Sequence, residues 1–236
     1  MSESWKRSLQ YAFTNHRIIS GINHDQQVNW LSLDLVLDQV PFDQINAELD
    51  HMLVAFNRLF KYKSVKQVAL GYFRMLDVMQ HGDLYQAKIH LLLPTLKSYF
   101  QGRYYLKYDA WLSLWRKALN CESDLRALVN VSVMSGKSDQ RRIIRKMEFG
   151  LQQLHQELGC ESAGFNGSLT GRRWIGYSRL LKEYMVPPKS ITSSNMNFYN
   201  TEDSIANSAF ESMVQWYPGV RNDANINPIF GNIKLP

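Results

Sequence analysis

The stretch VALGYFRMLDVMQHGDLYQAKIHLLLP, residues 68–94, contains two segments of alternating polarity joined by a turn signal. Alternation with a period of two is the pattern of β-strands, whose successive side chains point to opposite faces. Gly82-Asp83 is typical of a two-residue hairpin turn. Antiparallel pairing about this turn places Asp77 opposite Lys88, with His90 two positions further along the same face. The stretch therefore predicts a β-hairpin that presents an acid, a lysine and an imidazole together.

The segments on either side of this hairpin predict an α+β fold. Residues 30–37 alternate, with four leucines on one face and Asp34 on the other, as in a half-buried strand. Residues 42–60 have apolar side chains at helical spacing. Residues 127–133 predict another strand, and residues 174–184 begin extended and end helical. We predict a five-stranded, largely antiparallel sheet with helices packed on one face, followed by a C-terminal extension.

Three segments carry a family resemblance: GYFRMLDV (71–78), IHLLLP (89–94) and SYFQGRYYLKYDAWLSLWRKAL (98–119). They resemble the core of the plasmid rolling-circle replication initiators, which are DNA-nicking enzymes of the HUH endonuclease class. The resemblance extends more weakly over residues 30–184. It implies an HUH endonuclease-like fold in which two histidines and an acid hold a divalent cation. It also implies a tyrosine that attacks the DNA phosphate.

The chain departs from the family pattern at two of these positions. Asp77 stands where the acid is expected and His90 where the second histidine is expected, but Lys88 replaces the first histidine. A protonated lysine has no lone pair to offer Mg²⁺ or Mn²⁺. The best alignment puts Met147 at the tyrosine position, and a thioether cannot act as the oxygen nucleophile. We therefore expect a catalytically degenerate member with no catalytic residue and no cofactor; Mg²⁺ or Mn²⁺ would be required only if nicking were retained.

The altered hairpin leads to a specific expectation about charge. With Lys88 directly across from Asp77, the two Cβ atoms should lie about 4.5–5.5 Å apart. We expect the ammonium of Lys88 to neutralise Asp77 in place of the lost cation, leaving His90 as a hydrogen-bonding bystander. The three residues would then form a vestigial metal site.

Positive charge is concentrated in the middle of the chain. Residues 97–186 contain 15 Lys and Arg against 8 Asp and Glu, whereas the whole chain has a net charge of +6. A concentrated basic surface attracts polyanions. We expect single-stranded or hairpin DNA, or an acidic protein surface, to bind there. The candidate DNA-binding residues are Arg103, Lys107, Arg141, Arg142, Arg145, Lys146, Arg172 and Arg173.

Both ends of the chain are predicted to lie outside the main domain, which we place at residues 28–186. Residues 1–27 form an N-terminal segment with a short helix, and its His16 and His24 are predicted to be surface residues. Residues 187–236 begin with a linker-like run and form a docking tail. We expect this tail to be removable without unfolding the domain. It would join a larger protein assembly through Ile205, Met213, Trp216 and Phe230.

The sequence favours a cytoplasmic location. No apolar run reaches the length of a membrane span, and the N-terminal residues lack the apolar core of a signal peptide. The two cysteines, Cys121 and Cys160, form neither a disulfide framework nor a metal-ligand pattern.

Three functions are compatible with these features. The first is a replication-initiator-like protein that binds DNA and has lost nicking activity. The second is a non-catalytic interaction subunit that keeps the fold and joins an assembly through its tail. The third is an active nickase that uses another tyrosine, such as Tyr85 or Tyr184.

Overall fold

The computed structural model describes residues 3–101, 104–121, 125–157, 172–185 and 196–222. The helices are α1 (Glu3–Asp25), α2 (Ile45–Leu59), α3 (Lys63–Val68), α4 (Tyr108–Ala118), α5 (Gln140–Glu157), α6 (Leu180–Glu183) and α7 (Ser204–Met213). The strands are β1 (Val28–Pro41), β2 (Gly71–His81), β3 (Leu84–Leu96), β4 (Ala127–Val133), β5 (Ile175–Arg179) and β6 (Gly219–Asn222). None of the described helices combines the length and apolarity that crossing a bilayer requires.

The predicted hairpin is formed by β2 and β3. Gly82 in its turn has a φ of +59°, in the left-handed region that glycine adopts without a steric penalty. The register pairs Asp77 with Lys88 and Met75 with His90, as predicted. The strand order is β4-β1-β3-β2-β5 with antiparallel neighbours, and β6 adds in parallel to the second half of β2. The predicted α+β class and largely antiparallel sheet are confirmed, with β6 added to the five predicted strands.

Helices cover both faces of the sheet, whereas the sequence analysis placed them on one face. The leucines of β1 at 31, 33, 35 and 37 form one core with side chains of α2 and α4, including Phe56 and Trp115. On the other face, Phe73 and Met75 of β2 form a second core with residues of α1, α5 and α7. The difference arises because β2 carries large apolar side chains on both faces, so each face has to be covered to keep them from water.

The second core brings together the two ends of the described chain. Phe13 of α1 packs on Phe210 of α7, with ring centroids 4.7 Å apart. Asp203 caps the start of α7. Its Oδ1 accepts hydrogen bonds from the backbone N–H groups of Ile205 and Ala206 at 3.0 and 2.9 Å. This arrangement satisfies donors at the start of the helix. The described parts of segments 1–27 and 187–236 therefore pack onto the predicted domain.

Candidate functional site

Three strands bring their polar side chains to one point on the second face of the sheet. In the β1–β3 register, Asp34 pairs with His90, and in the β2–β3 register Met75 pairs with His90, two residues before Asp77. Asp34 and Asp77 therefore flank His90 from the two neighbouring strands. The sequence predicts a site that contains Asp77 and His90, but it indicates Asp34 only as a polar-face residue of β1.

His90 makes a hydrogen bond from each of its ring nitrogens. Its Nδ1 lies 2.7 Å from Asp34 Oδ1, and its Nε2 lies 3.2 Å from Asp77 Oδ2. An ionised carboxylate only accepts hydrogen bonds, so with both carboxylates ionised the two ring nitrogens donate and the ring is an imidazolium. Burial by itself lowers the pKa of His90, but the hydrogen bonds to Asp34 and Asp77 outweigh burial and raise that pKa.

Trp216 and Arg221, which both follow α7 in the chain, complete this cluster. The Nη2 group of Arg221, on β6, donates to Asp77 Oδ2 at 2.9 Å. The indole of Trp216 stacks on the ring of His90, with centroids 4.7 Å apart and planes inclined by 6°. We call Asp34, Asp77, His90 and Arg221 the buried quartet; Asp77 is only 1% exposed. Two carboxylates, one imidazolium and one guanidinium make the quartet electrically neutral.

Lys88 does not have the role expected for it. It lies across from Asp77 in the predicted register, but Asp77 forms its ion pairs with Arg221 and His90. Arg221 contacts Asp77 because β6 runs alongside β2 from Asp77 onward, which places the guanidinium next to the carboxylate. The expected Asp77–Lys88 ion pair is therefore replaced by one with Arg221.

A divalent cation does not fit the quartet as it stands. Each ring nitrogen of His90 is already within hydrogen-bond distance of a carboxylate oxygen, so in this arrangement neither is directed at a metal ion. Asp77 Oδ1 is buried without a hydrogen-bond partner, but a metal ion there would lie beside the imidazolium and the guanidinium on the same carboxylate. Like charges at such separations repel strongly in a buried site. The positive charges at this site therefore belong to His90 and Arg221 of the chain itself.

The positions considered for a nucleophile are buried or occupied. Met147 is fully buried in the second core. Tyr85 belongs to the first core, on the face of the sheet opposite His90. The hydroxyl of Tyr184 donates to Asp25 Oδ2 at the end of α1, at 2.8 Å.

An open polar pocket of about 500 Å³ adjoins the quartet. Its lining includes Asp34, Trp216 and three residues from α5 and α7, namely Arg142, Lys146 and Glu211. Arg142 Nη2 and Lys146 Nζ lie 2.7 and 2.9 Å from the same oxygen of Glu211. Arg142 is still 53% exposed, so the mouth of the pocket presents positive charge to solvent.

The other candidate DNA-binding residues differ in their surroundings. Arg141 and Arg145 are exposed on α5, Arg173 is exposed before β5, and Lys107 is exposed at the start of α4. Arg103 lies outside the described residues.

Arg172, which is predicted to contact phosphate, is held by side chains of the protein itself. Its guanidinium donates to both carboxylate oxygens of Asp50 at 2.9 Å and to Asn46 of α2 at 2.8 Å. A bidentate guanidinium–carboxylate pair occupies the donors that a phosphate would need. Arg172 therefore fastens the segment before β5 to α2.

The residues expected to bind a partner lie mainly inside the second core. Met213 is fully buried, Trp216 is 8% exposed, and Ile205 is partly buried against the same core. Side chains that fill the domain's own core are not free to enter a partner's surface. Phe230 lies outside the described residues. The structure thus gives Ile205, Met213 and Trp216 a packing role.

Comparisons with known proteins relate this chain to replication proteins. A family model described as replication protein matches residues 3–223. A protein named Protein rep from Bacillus amyloliquefaciens is 28% identical over 246 residues, covering 93% of this chain and 72% of its own length. A Protein rep from a Bacillus species is 28% identical over 206 residues, covering 76% of this chain and 66% of its own length.

A third relative, Protein rep from Streptococcus pneumoniae, is 26% identical over 193 residues, covering 76% of this chain and 58% of its own length. No solved structure matches this chain with significance.

Proposed function

The chain belongs to the replication protein family, and from this membership we propose that it binds DNA as a replication initiator without nicking it. The family assignment agrees with the resemblance to rolling-circle initiators found in the sequence. The proposal concerns the loss of the nicking step and the surface that contacts DNA.

The neutral quartet is the observation that carries this proposal. Nicking, as the family resemblance implies it, needs a divalent cation at the positions of Asp77 and His90. Here both ring nitrogens of His90 are hydrogen-bonded to carboxylates and Arg221 binds Asp77. The tyrosine position holds buried Met147, which supplies no oxygen for attack on phosphorus. Asp77 and His90 instead connect the sheet to Arg221 on β6.

The DNA surface in this proposal is formed by α5. Arg141 and Arg145 are exposed on its first turns, four residues apart, whereas Arg142 and Lys146 both contact Glu211 beside the open pocket. Like charges spaced three or four residues apart destabilise a helix slightly, and a phosphate backbone relieves that repulsion. Each phosphate that is neutralised releases counterions, which makes binding dependent on salt.

Binding to single-stranded and hairpin DNA at 50–200 mM salt tests the first half of the proposal. We expect affinity to fall linearly on a log–log plot, and Arg141→Ala to reduce the slope by about 0.7–0.9. Arg172→Ala is the matched control, because its guanidinium is already bound to Asp50, and its slope should equal that of the wild type. Absence of DNA binding by the wild type at 50 mM salt would refute the proposal.

Formation of a covalent protein–DNA adduct tests the second half. The wild-type protein is incubated with single-stranded and supercoiled DNA in the presence of Mn²⁺ and separated under denaturing conditions. We expect neither an adduct nor a nicked product. A rolling-circle initiator that keeps its tyrosine, assayed on its own origin, serves as the positive control. An adduct on this protein would show that nicking survives.

A further inference from the structure

A second pocket lies far from the quartet, on the other face of the sheet. It has a volume of about 390 Å³ and is lined by residues that include Asn57, Phe60, Lys61, Tyr72, Ser178 and Arg179. Tyr72 packs against the first core, whereas the site-face residues of β2, such as Met75, belong to the second core. The volume falls within the range of about 300–1,000 Å³ that small-molecule sites occupy.

The close approach of β5 to the start of β2 shapes this pocket. A Cβ added to Gly71 would lie 2.7 Å from the carbonyl oxygen of Ser178, so only glycine permits the two strands to meet there. The backbone N–H of Tyr72 donates to Ser178 Oγ at 3.1 Å. These contacts fix the position of the Tyr72 ring relative to β5.

Arg179 is held at the pocket by an unusual backbone conformation. Its φ is +45°, in a region where the backbone of residues other than glycine is strained. Its Nη1 group donates to the carbonyl oxygen of Ala69 at 3.1 Å. The remaining donors of this fork-shaped group face an exposed environment. The strain and the single tether together hold a guanidinium at the rim.

The chemistry of the walls combines aromatic rings with positive charge. The rings of Phe60 and Tyr72 lie 4.7 Å apart, and both rest on Phe56, at 4.8 and 4.9 Å. Lys61 is exposed beside them. The described residues that line this pocket include no Asp or Glu, whereas the pocket beside the quartet contains both Asp34 and Glu211.

We propose that this pocket binds one nucleotide of a single-stranded DNA segment. The phosphate is placed between Lys61 and Arg179, and the base lies against the exposed edges of Phe60 and Tyr72. Aromatic rings that accept bases, set beside cations that accept phosphates, are the general means of binding single strands. The inference rests on the proposed DNA-binding function and adds a contact on the face opposite α5.

Binding of an oligothymidylate and of an abasic oligonucleotide of equal length tests this pocket. Lys61→Gln should reduce the log–log salt slope by about 0.7 with both ligands. Lys66→Gln is the matched control, because Lys66 is exposed on the adjacent helix α3 but does not line the pocket. Phe60→Leu keeps an apolar contact, so we expect it to weaken oligothymidylate binding at least about fivefold and leave abasic binding unchanged.

The outcomes separate this inference from the proposed function. If Arg141→Ala reduces the salt slope while the Lys61 and Phe60 variants behave as the wild type, the pocket is refuted and the DNA-binding function stands. If Lys61→Gln reduces the salt slope but Phe60→Leu leaves oligothymidylate affinity unchanged, the surface contacts phosphate alone and the nucleotide site is refuted. Failure of the wild type to bind DNA at 50 mM salt would overturn both. Thermal melts of each variant confirm that the fold is intact.

Discussion

At the scale of single residues, the position of Asp77 determines what the site can do. Its side chain is 1% exposed, and a buried carboxylate is costly unless opposite charge and hydrogen bonds compensate it. The imidazolium of His90 and the guanidinium of Arg221 provide that compensation from within the chain. The charge of a metal ion is therefore not needed to offset the carboxylate of Asp77.

Replacing Arg221 should destabilise the protein far more than replacing an exposed arginine. Arg221→Met leaves Asp77 buried with one cation fewer, and removing one partner of a buried ion pair costs about 3–5 kcal/mol. Arg142→Met is the matched control, because Arg142 is 53% exposed in its pair with Glu211 and such pairs contribute about 0–1 kcal/mol. Urea unfolding gives both free energies. Equal losses in the two variants would contradict the quartet.

Restoring a histidine at position 88 should not by itself create a metal site. In Lys88→His, Asp77 and His90 are still bound to Arg221 and Asp34, so calorimetric titration with Mn²⁺ should show no binding. The double variant Lys88→His with Arg221→Ala removes the competing guanidinium and should bind Mn²⁺ weakly. Adding Asp77→Ala should abolish that binding. Mn²⁺ binding by the single variant would show that Arg221 does not control the site.

The sequence predicts half of this site. A hairpin turn and a period of two are local signals, and they are sufficient to place Asp77 beside Lys88 and near His90. Arg221 lies 144 positions from Asp77, and nothing in its local sequence indicates which strand it will join. The sequence also contains a signal that could place Asp34 in the site, since it is an acid on the polar face of a strand that pairs with the hairpin.

At the scale of elements, a buried polar network connects the helices of the second core. His16 of α1 is fully buried, and its Nε2 lies 2.9 Å from Asn207 Oδ1 on α7. The amide nitrogen of Asn207 donates to Gln140 Oε1 of α5 and to the carbonyl oxygen of Thr201, both at 2.8 Å. The predicted surface position of His16 is therefore wrong. A buried histidine on a helix face depends on a partner that the sequence of α1 does not reveal.

His16 should make the protein less stable in mild acid. Burial lowers the pKa of His16, although the Asn207 hydrogen bond and the charge of Asp203 oppose this shift. The folded chain therefore keeps the ring neutral, whereas the unfolded chain binds a proton below pH about 6.5. Stability contributed by the neutral ring is present above that pH and is lost as the pH falls towards the lowered pKa.

Urea unfolding of wild type and His16→Gln at pH 7.5 and 5.5 measures this contribution. Glutamine can still donate to Asn207 but does not titrate in this range. We expect the wild type to lose more stability than the variant on acidification. His90 titrates in both proteins, so its contribution cancels in the comparison. Parallel losses would show that His16 accepts a proton without cost in the folded state.

At the scale of the whole molecule, both ends of the described part of the chain contribute to the core. Leu9 and Phe13 of α1 and Phe210 and Met213 of α7 are fully buried in one cluster with Met75 of β2. The linker-like run at the start of residues 187–236 predicts a separable tail, because a linker has a local signature. Whether a short helix beyond a linker folds back onto the domain is decided by distant residues, which explains why its packing was not predicted.

Truncation before Pro187 should therefore unfold the domain and not merely trim it. The truncated chain lacks Phe210, Met213 and Trp216, and it exposes the apolar faces of α1 and β2 to water. Losing one large core side chain costs about 2–5 kcal/mol, so losing several exceeds the stability of a typical domain. Circular dichroism melts provide the measurement. A cooperative melt of residues 1–186 would support the removable tail that the sequence alone suggests.

The contact between α1 and α7 also sets the order in which the protein can be completed during synthesis. Ser8 of α1 donates to the carbonyl oxygen of Trp216, which is 208 positions away, and Leu9 and Phe13 lie in one core with side chains of α7. Contacts between such distant segments slow folding and leave apolar surface exposed in the meantime. During synthesis the apolar face of α1 therefore stays incompletely covered until α7 has been translated, and chaperones that bind apolar segments can act on it in that interval.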